Sequence, residues 1–207
     1  MISVVVVNYN AGSLLAACVG EALSQADEIL VIDNASKDSS IEDCERQFAK
    51  EPRLKVIRNE TNLGFAAACN IGFTQAMGEF VLFLNPDCRL DEGAVSALLQ
   101  PLQANTIVGM VGGLLVNPDG SEQGGGRRAV PTPWRSFVRA SGLSRFANRW
   151  PKLFFDFHLH NQPLPDCFGD GDHALRRGLQ IHFRNICAAF LLQRVIDRSA
   201  QFVPGFP

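Results

Sequence analysis

The sequence predicts an α/β fold: a mostly parallel sheet flanked by helices, with an irregular C-terminal segment. Three observations predict it. Short apolar runs alternate with loops and helically spaced segments before Asp87, the rhythm of strand–loop–helix units in a parallel sheet. The main runs are hydrophobic at both alternating positions, as strands covered on both faces must be. Each run gives way to a polar loop, and right-handed crossovers bring such loops to one edge of the sheet.

Ile2 to Val7 is β-branched and short, a central strand. Asn8-Tyr9-Asn10-Ala11-Gly12-Ser13 is a loop, with Ser13 or Asn10 able to cap a helix beginning near Leu14. Leu14, Leu15, Cys18, Val19, Ala22 and Leu23 recur at helical spacing. Glu28 to Asp33 is the second strand, and the loop from Asp33 to Ser40 can cap a helix reaching about Phe48. Leu54 to Arg58 is a third strand, followed by a polar loop through Gly64 and a helix of small residues from Phe65 to about Met77. The fourth run, from Glu79 to Leu84, stops at Asn85-Pro86-Asp87, because proline cannot donate to a sheet ladder.

Asn8, Asp33, Asn62, Gly64 and Asp87 each fall just beyond a strand end, at the edge where open α/β sheets bind ligands. A carboxylate at Asp87 suits a hard divalent cation that shares phosphate oxygens and water. Taken alone, Asn85-Pro86-Asp87 reads more simply as a turn. The shared position of the five residues carries the functional signal.

Glu92 to Leu102 is an amphipathic helix, and Ile107 to Val116 a glycine-interrupted strand or strand pair. Asn117-Pro118-Asp119-Gly120 is a turn, more simply a hairpin tip than a second metal site, and Gly124 to Arg128 is a flexible basic loop that could meet a diphosphate or equally stay solvated. From Pro131 to Pro165 the rhythm is lost, and tryptophans and phenylalanines interleave with Arg135, Arg139, Arg145, Arg149 and Lys152. Packing against the domain is the simpler reading of that segment; contact with an anionic membrane face or a lipid-linked acceptor is the other. His158 and His160 do not share a face, and His173 and His182 have no evident partner. Ile186 to Leu192 is a last buried strand, with a short helix beginning at Gln193.

The length of 207 residues fits one α/β domain, alone or with an appendage, and hydrophobic content of 46% allows a full core. A net charge of −2 implies no general affinity for nucleic acid. No apolar run approaches the length of a spanning helix, and the N-terminus has no signal-peptide pattern. The six scattered cysteines, without C-x-x-C, read as buried thiols in a reducing cytosol. A dinucleotide-binding dehydrogenase is disfavoured, because the first loop lacks G-x-G-x-x-G. A nucleotidyltransferase is disfavoured as well, since that loop is not rich in glycine and lysine.

Four motifs together carry a resemblance: Val4 to Asn10 (VVVVNYN), Val31 to Asp38 (VIDNASKD), Asn62 to Gly72 (NLGFAAACNIG) and Phe83 to Asp87 (FLNPD). In this order and spacing they resemble family 2 glycosyltransferases of the GT-A, Rossmann-like fold, nearest in pattern to bacterial rhamnosyltransferase-like members. Ala188 to Arg194 is similar to a later strand of that family, and Gly205-Phe206 to its Gly-Phe-Asp-Glu turn. The resemblance implies a nucleotide-sugar-binding core over residues 1–116 and an acceptor-side part of the same domain, incomplete, over 117–207.

It also implies inverting transfer from a nucleotide-diphosphate sugar to a glycan or lipid-linked acceptor, in cell-surface polysaccharide synthesis. Asn8 and Asp33 would hold the nucleoside, and Asn62 and Gly64 would let the backbone approach ribose and diphosphate. Tyr9, Asn10, Asn34, Ser36, Asn70 and Asn85 complete the implied donor-binding set. Asp87 would hold Mg²⁺ or Mn²⁺ against the diphosphate, with Asn85 in place of the first acid of the family's Asp-x-Asp motif. The family's acidic base follows its Gly-Phe-Asp-Glu turn, and this chain stops at Pro207. Asp166, Asp170 and Asp172 precede the Ala188 run and do not match the base. The expectation is therefore a truncated enzyme, catalytic base unknown, or alternatively a non-catalytic nucleotide-sugar or glycan-binding module. The expected location is the cytoplasm, with room for contact at the inner face of the membrane.

Overall fold

The computed structural model describes residues 1–105, 108–116, 121, 132–147, 149–150, 153, 180–182 and 189–193. Four parallel strands come first: β1 (Ile2–Asn8), β2 (Glu28–Asp33), β3 (Leu54–Arg58) and β4 (Phe80–Leu84). Helices α1 (Ser13–Leu23), α2 (Ser40–Gln47) and α3 (Phe65–Gln75) connect them, and α4 (Ala94–Ala104) follows. Next come β5 (Met110–Gly112), β6 (Leu114–Val116) and α5 (Pro133–Ala140), then a 3₁₀ turn at Leu143–Phe146, β7 (Gln180–His182) and β8 (Ala189–Gln193).

The main sheet runs β3-β2-β1-β4-β8-β5, and β6 pairs with β7 in a separate two-stranded sheet. β1 pairs in parallel with β2 and β4, while β8 lies antiparallel between β4 and β5. Chain order reverses at β1, so the gap between the β1 and β4 ends is the topological switch point of the sheet.

β1, β2 and β4 are buried along their whole length, because helices cover both faces. On one face Val4, Val6, Ile29, Val31, Leu82 and Leu84 pack against α1, α2 and α4. On the other, Val5, Val7, Leu30, Ile32, Val81 and Phe83 pack against α3. Gly72 of α3 permits that approach, since a Cβ there would collide with Val5. β3 has Lys55 and Arg58 exposed, charges that suit an edge strand.

At the amino edge, Glu28 ties the sheet together. Its carboxylate accepts from Ser3 Oγ at 2.6 Å, Lys55 Nζ at 2.7 Å and the Met77 N–H at 2.9 Å. The Gly78 N–H donates to Ser3 Oγ at 2.8 Å. These bonds explain why α3 stops at Gln75 rather than about Met77: the next amides serve Glu28 and Ser3 instead of the helix.

Several other boundaries differ from expectation. Neither Ser13 nor Asn10 caps α1; Gly12 is its N-cap, with φ 57° and no side-chain bond. The Asn10 side chain instead accepts from the Lys37 N–H. The N-cap of α2, Ser39, makes no side-chain cap bond, but Asp38 of the expected capping loop accepts from the Ser40 N–H at 3.2 Å. α4 starts at Ala94 rather than Glu92, behind Gly93 in the left-handed region. Gln193 continues β8 rather than opening a helix, because it pairs with Phe80 of β4. In the aromatic and basic segment, packing is not what the described side chains show. Val138 is fully buried, whereas Trp134, Phe137, Phe146, Trp150 and Leu153 are all exposed.

Cys18, Cys44, Cys69 and Cys88 are buried and not joined in disulfides, and burial pushes the Cys69 thiol up to about 12. Cys167, Cys187, His158, His160, His173, Asn117 to Gly120, Gly124 to Arg128, and Gly205-Phe206 lie outside the described residues. Asp166, Asp170 and Asp172 lie outside them as well. Among the described residues no helix is long and apolar enough to cross a membrane.

Candidate donor-binding crevice at the carboxyl edge

Parallel pairing sets the geometry of the site. The register puts Asn8 opposite Asp33 at the ends of β1 and β2. Both are buried, with 0% and 5% of their surface exposed. Asn8 Nδ2 lies 2.9 Å from Asp33 Oδ1, Ser36 Oγ and Ser40 Oγ. The two hydroxyls donate their own protons to carboxylates, Ser36 to Asp33 and Ser40 to Asp38. Their oxygens are therefore left to accept, which fixes the Asn8 amide with nitrogen toward this cluster. Asn8 Oδ1 then has no hydrogen-bond partner among the described residues, although it is buried.

The network extends across three loops. The Asn10 N–H donates to Ser36 Oγ at 3.0 Å. Asn10 and Ala35 both adopt positive φ, 55° and 60°, a conformation that bends the two loops tightly and is uncommon without glycine. The Asn34 N–H donates to the Asn8 carbonyl at 2.9 Å, and its side chain donates to the Gly64 carbonyl at 3.3 Å. Asn59 Nδ2 donates to Asn34 Oδ1, which joins the loop after β3 to the one after β2. Asn62 Oδ1 accepts from the Gly64 N–H at 2.9 Å. Gly64 has φ 83° and empty space where a Cβ would stand, so its backbone is open to a ligand's approach.

Of the residues singled out from the sequence, Asn8, Asn10, Asp33, Asn34 and Ser36 thus form one bonded cluster, with Asn62 and Gly64 attached through Asn34. Tyr9 is 49% exposed on the loop after β1. Asn85 and Asp87 stand across the switch point, past β4. The Asn85 carbonyl accepts from the Cys88 N–H at 3.1 Å, so Asn85 to Cys88 is a turn that also presents Asp87, half-buried, at the ligand edge. Asn70 lies on α3, half-buried, with its side-chain oxygen unpaired among the described residues.

Asp38, the last residue of the VIDNASKD motif, joins this network although the sequence pattern does not mark it as a ligand-binding residue. It accepts from Ser40 Oγ at 2.6 Å and from the Gly12 N–H at 2.8 Å, tying the loop after β1 to the start of α2. The Ser40 hydroxyl, with help from the Gly12 and Ser40 amides, holds its carboxyl below the usual 3.8. The available signal was an acid directly before a Ser-Ser pair at a helix start.

Among the described residues no three acidic, cysteine or histidine side chains are placed to hold a metal by themselves. A single carboxylate beside an amide fits Mg²⁺ or Mn²⁺ when phosphate and water supply the remaining oxygens.

The Glycosyl transferase family 2 model matches residues 3–179. The chain belongs to that family. Glycosyltransferase GlyG of Streptococcus pneumoniae serotype 4 is 34% identical to this family 2 chain over 115 residues, covering 53% of the chain and 38% of GlyG. A glycosyltransferase of Haemophilus influenzae is 37% identical over 90 residues, covering 42% of the chain and 36% of the relative. The matched stretch therefore spans little more than a third of each of these relatives. Among solved structures, GalNAc-T7 with UDP, GalNAc and Mn²⁺ aligns with a TM-score of 0.53 at 22% identity, covering 67% of this chain and 31% of that one. Its resemblance is one of fold, and the fold is the expected GT-A type, a mostly parallel sheet flanked by helices.

Proposed function

We propose that this family 2 chain binds a nucleoside-diphosphate sugar in the crevice between the β1–β2 ends and the β4 end. In this reading it belongs to an inverting glycosyltransferase of the rhamnosyltransferase-like branch, acting on a glycan or lipid-linked acceptor in cell-surface polysaccharide synthesis in the cytoplasm. The observation that carries the reading is the buried Asn8–Asp33 pair beside the switch point, with Asp87 on its far side.

Asp33 receives three bonds: Asn8 Nδ2 and Ser36 Oγ on Oδ1, and the Ser36 N–H on Oδ2. A carboxylate has about four lone-pair sites. Oδ2 therefore retains capacity for one donor, such as a base N–H or a ribose hydroxyl. Asn8, Ser36 and Asn34 hold that carboxylate still before the ligand arrives, which lowers the ordering cost of binding. Gly64 leaves room for ribose and diphosphate. Asp87, with Asn85 beside it, would hold Mg²⁺ or Mn²⁺, and the bound cation would offset charge on the leaving diphosphate.

A thermal-shift panel of UDP, dTDP, GDP and CMP, each with and without Mn²⁺, tests the reading, because a ligand of the folded state raises its stability by mass action. One diphosphate should raise the melting temperature, and more so with metal. A cooperative melt unmoved by every nucleotide would overturn it.

A further inference from the structure

We infer that the face built by α5 and the 3₁₀ turn after it is a binding surface for an anionic lipid bilayer. α5 carries Trp134 and Phe137 on one side, 52% and 54% exposed, with their rings 5.6 Å apart. In helical projection Val138, fully buried, lies on the far side of Trp134 from Phe137, so the helix is anchored through Val138 and shows its two aromatics to one side. Arg135 and Arg139 are one turn apart and fall beyond that apolar strip.

The following segment folds back on α5. Trp134 Nε1 donates to the Leu153 carbonyl at 2.8 Å, which brings exposed Leu153 beside the aromatic pair. Arg145 lies over the ring of Phe146 at 5.0 Å, and Arg149 over Trp150 at 5.8 Å. Large apolar side chains at the surface, two of them under an arginine, have the composition of an interfacial segment.

Charge complementarity selects the occupant. Between Arg127 and Lys152 the sequence has seven basic residues and no acidic one, in a chain whose net charge is −2. Anionic headgroups attract such a segment while the aromatic bodies sit at the headgroup–acyl boundary. A nucleic acid is a poorer match, because arginine already covers one face of the Phe146 and Trp150 rings, and base stacking needs open ring faces.

The chain has two tryptophans, Trp134 and Trp150, and both lie on this face. Intrinsic fluorescence therefore reports on the surface directly. The 207-residue chain is titrated with vesicles of phosphatidylcholine alone and with about one-third phosphatidylglycerol, at roughly physiological salt. The expected result is co-sedimentation and a blue shift with the anionic vesicles only, weakening as salt rises. Replacing Arg135, Arg139, Arg145 and Arg149 by glutamine should lower the partition constant by about two to three orders of magnitude. Phe137→Ser should weaken binding while leaving its salt dependence.

Equal binding to zwitterionic vesicles, no binding to either, or retention of a single-stranded oligonucleotide but not of vesicles would overturn the inference. Should the arginine variant fail to melt cooperatively, the salt and lipid series on the unaltered chain decides alone. The nucleotide-induced thermal shift, measured on the same samples, is a separate readout. Loss of one result leaves the other standing.

Discussion

Asn8 and Asp33 end adjacent parallel strands, and the asparagine amide donates to the aspartate carboxylate at 2.9 Å with both side chains buried. A buried charge-assisted bond of this kind is costly to break from one side, since the remaining partner loses its solvation as well. It also makes the position of Asp33 a property of the sheet rather than of a loop.

Asp33→Ala should therefore have two separable effects. It removes an acceptor from Asn8 and Ser36, which should lower stability by about 1–3 kcal/mol and the melting temperature by several degrees. It should also weaken nucleotide binding to a similar extent with and without Mn²⁺, as measured by calorimetric titration. A loss seen only in the presence of metal would assign Asp33 a different part.

Asp87→Ala should separate differently. Asp87 lies beyond the last residue of β4, in the turn closed by the Cys88 N–H and the Asn85 carbonyl. The substitution should leave the circular dichroism spectrum unchanged and the melt still cooperative. The increment that Mn²⁺ adds to nucleotide binding should vanish. An undiminished increment would remove Asp87 from metal binding.

Glu28 gives a pH dependence of known sign. Burial raises its carboxyl, but the Lys55 ammonium, the Met77 amide and the Ser3 hydroxyl together outweigh burial and hold it below the ordinary 4.5. Its contribution to stability is thus complete above that value and is lost as pH falls through the folded-state value. Glu28→Gln should be less stable than the parent by roughly 1–3 kcal/mol at neutral pH. The gap should close in acid, as urea denaturation at a series of pH values would show. A gap that stayed constant into acid would mean that packing, not charge, carries the effect.

Gly78→Ala tests the same corner sterically. A Cβ there would stand 2.6 Å from the Ser3 backbone nitrogen and 2.9 Å from the Phe80 carbonyl oxygen, neither of which can swing aside. Overpacking of this sort costs about 1–3 kcal/mol. Gly109→Ala is the control, with nothing within 4 Å of the added atom, and should change stability by less than about 0.5 kcal/mol. Equal effects in chemical denaturation would count against the close approach.

The strands were legible because β-branched runs bounded by Asn, Asp and Pro leave little choice, and Leu54–Arg58 matches residue for residue. The candidate crevice was legible for the same reason: parallel strands dictate where their ends go, so Asn8, Asp33 and Asp87 could be placed on one edge from order alone. Helix starts were less so. Asn10 and Ser13 hold oxygens that suit a cap for α1, yet the fold uses Asn10 to join separate loops, while Asp38 both meets the first amide of α2 and reaches across to Gly12. Local preference cannot foresee a partner some twenty-six residues away. The aromatic and basic segment was open between two readings because composition does not tell which side chains a helix turns outward, and among its described residues Val138 is the one fully buried.

The place of β8 between β4 and β5 sets a schedule for synthesis. β1 to β4 are contiguous in the sequence and can pair as they leave the ribosome. Among the described residues the partner on the far edge of β4 is β8, and about 104 residues, 85–188, must be added between the two. At about 5–20 residues per second, β4 waits on the order of 5–20 s with one edge unpaired. For that interval the nascent chain presents a five-residue apolar strand, Phe80–Leu84, to whatever else can add to it. A chaperone that shields this edge would raise the yield of folded protein, whereas a stall in translation before Ala189 would lower it.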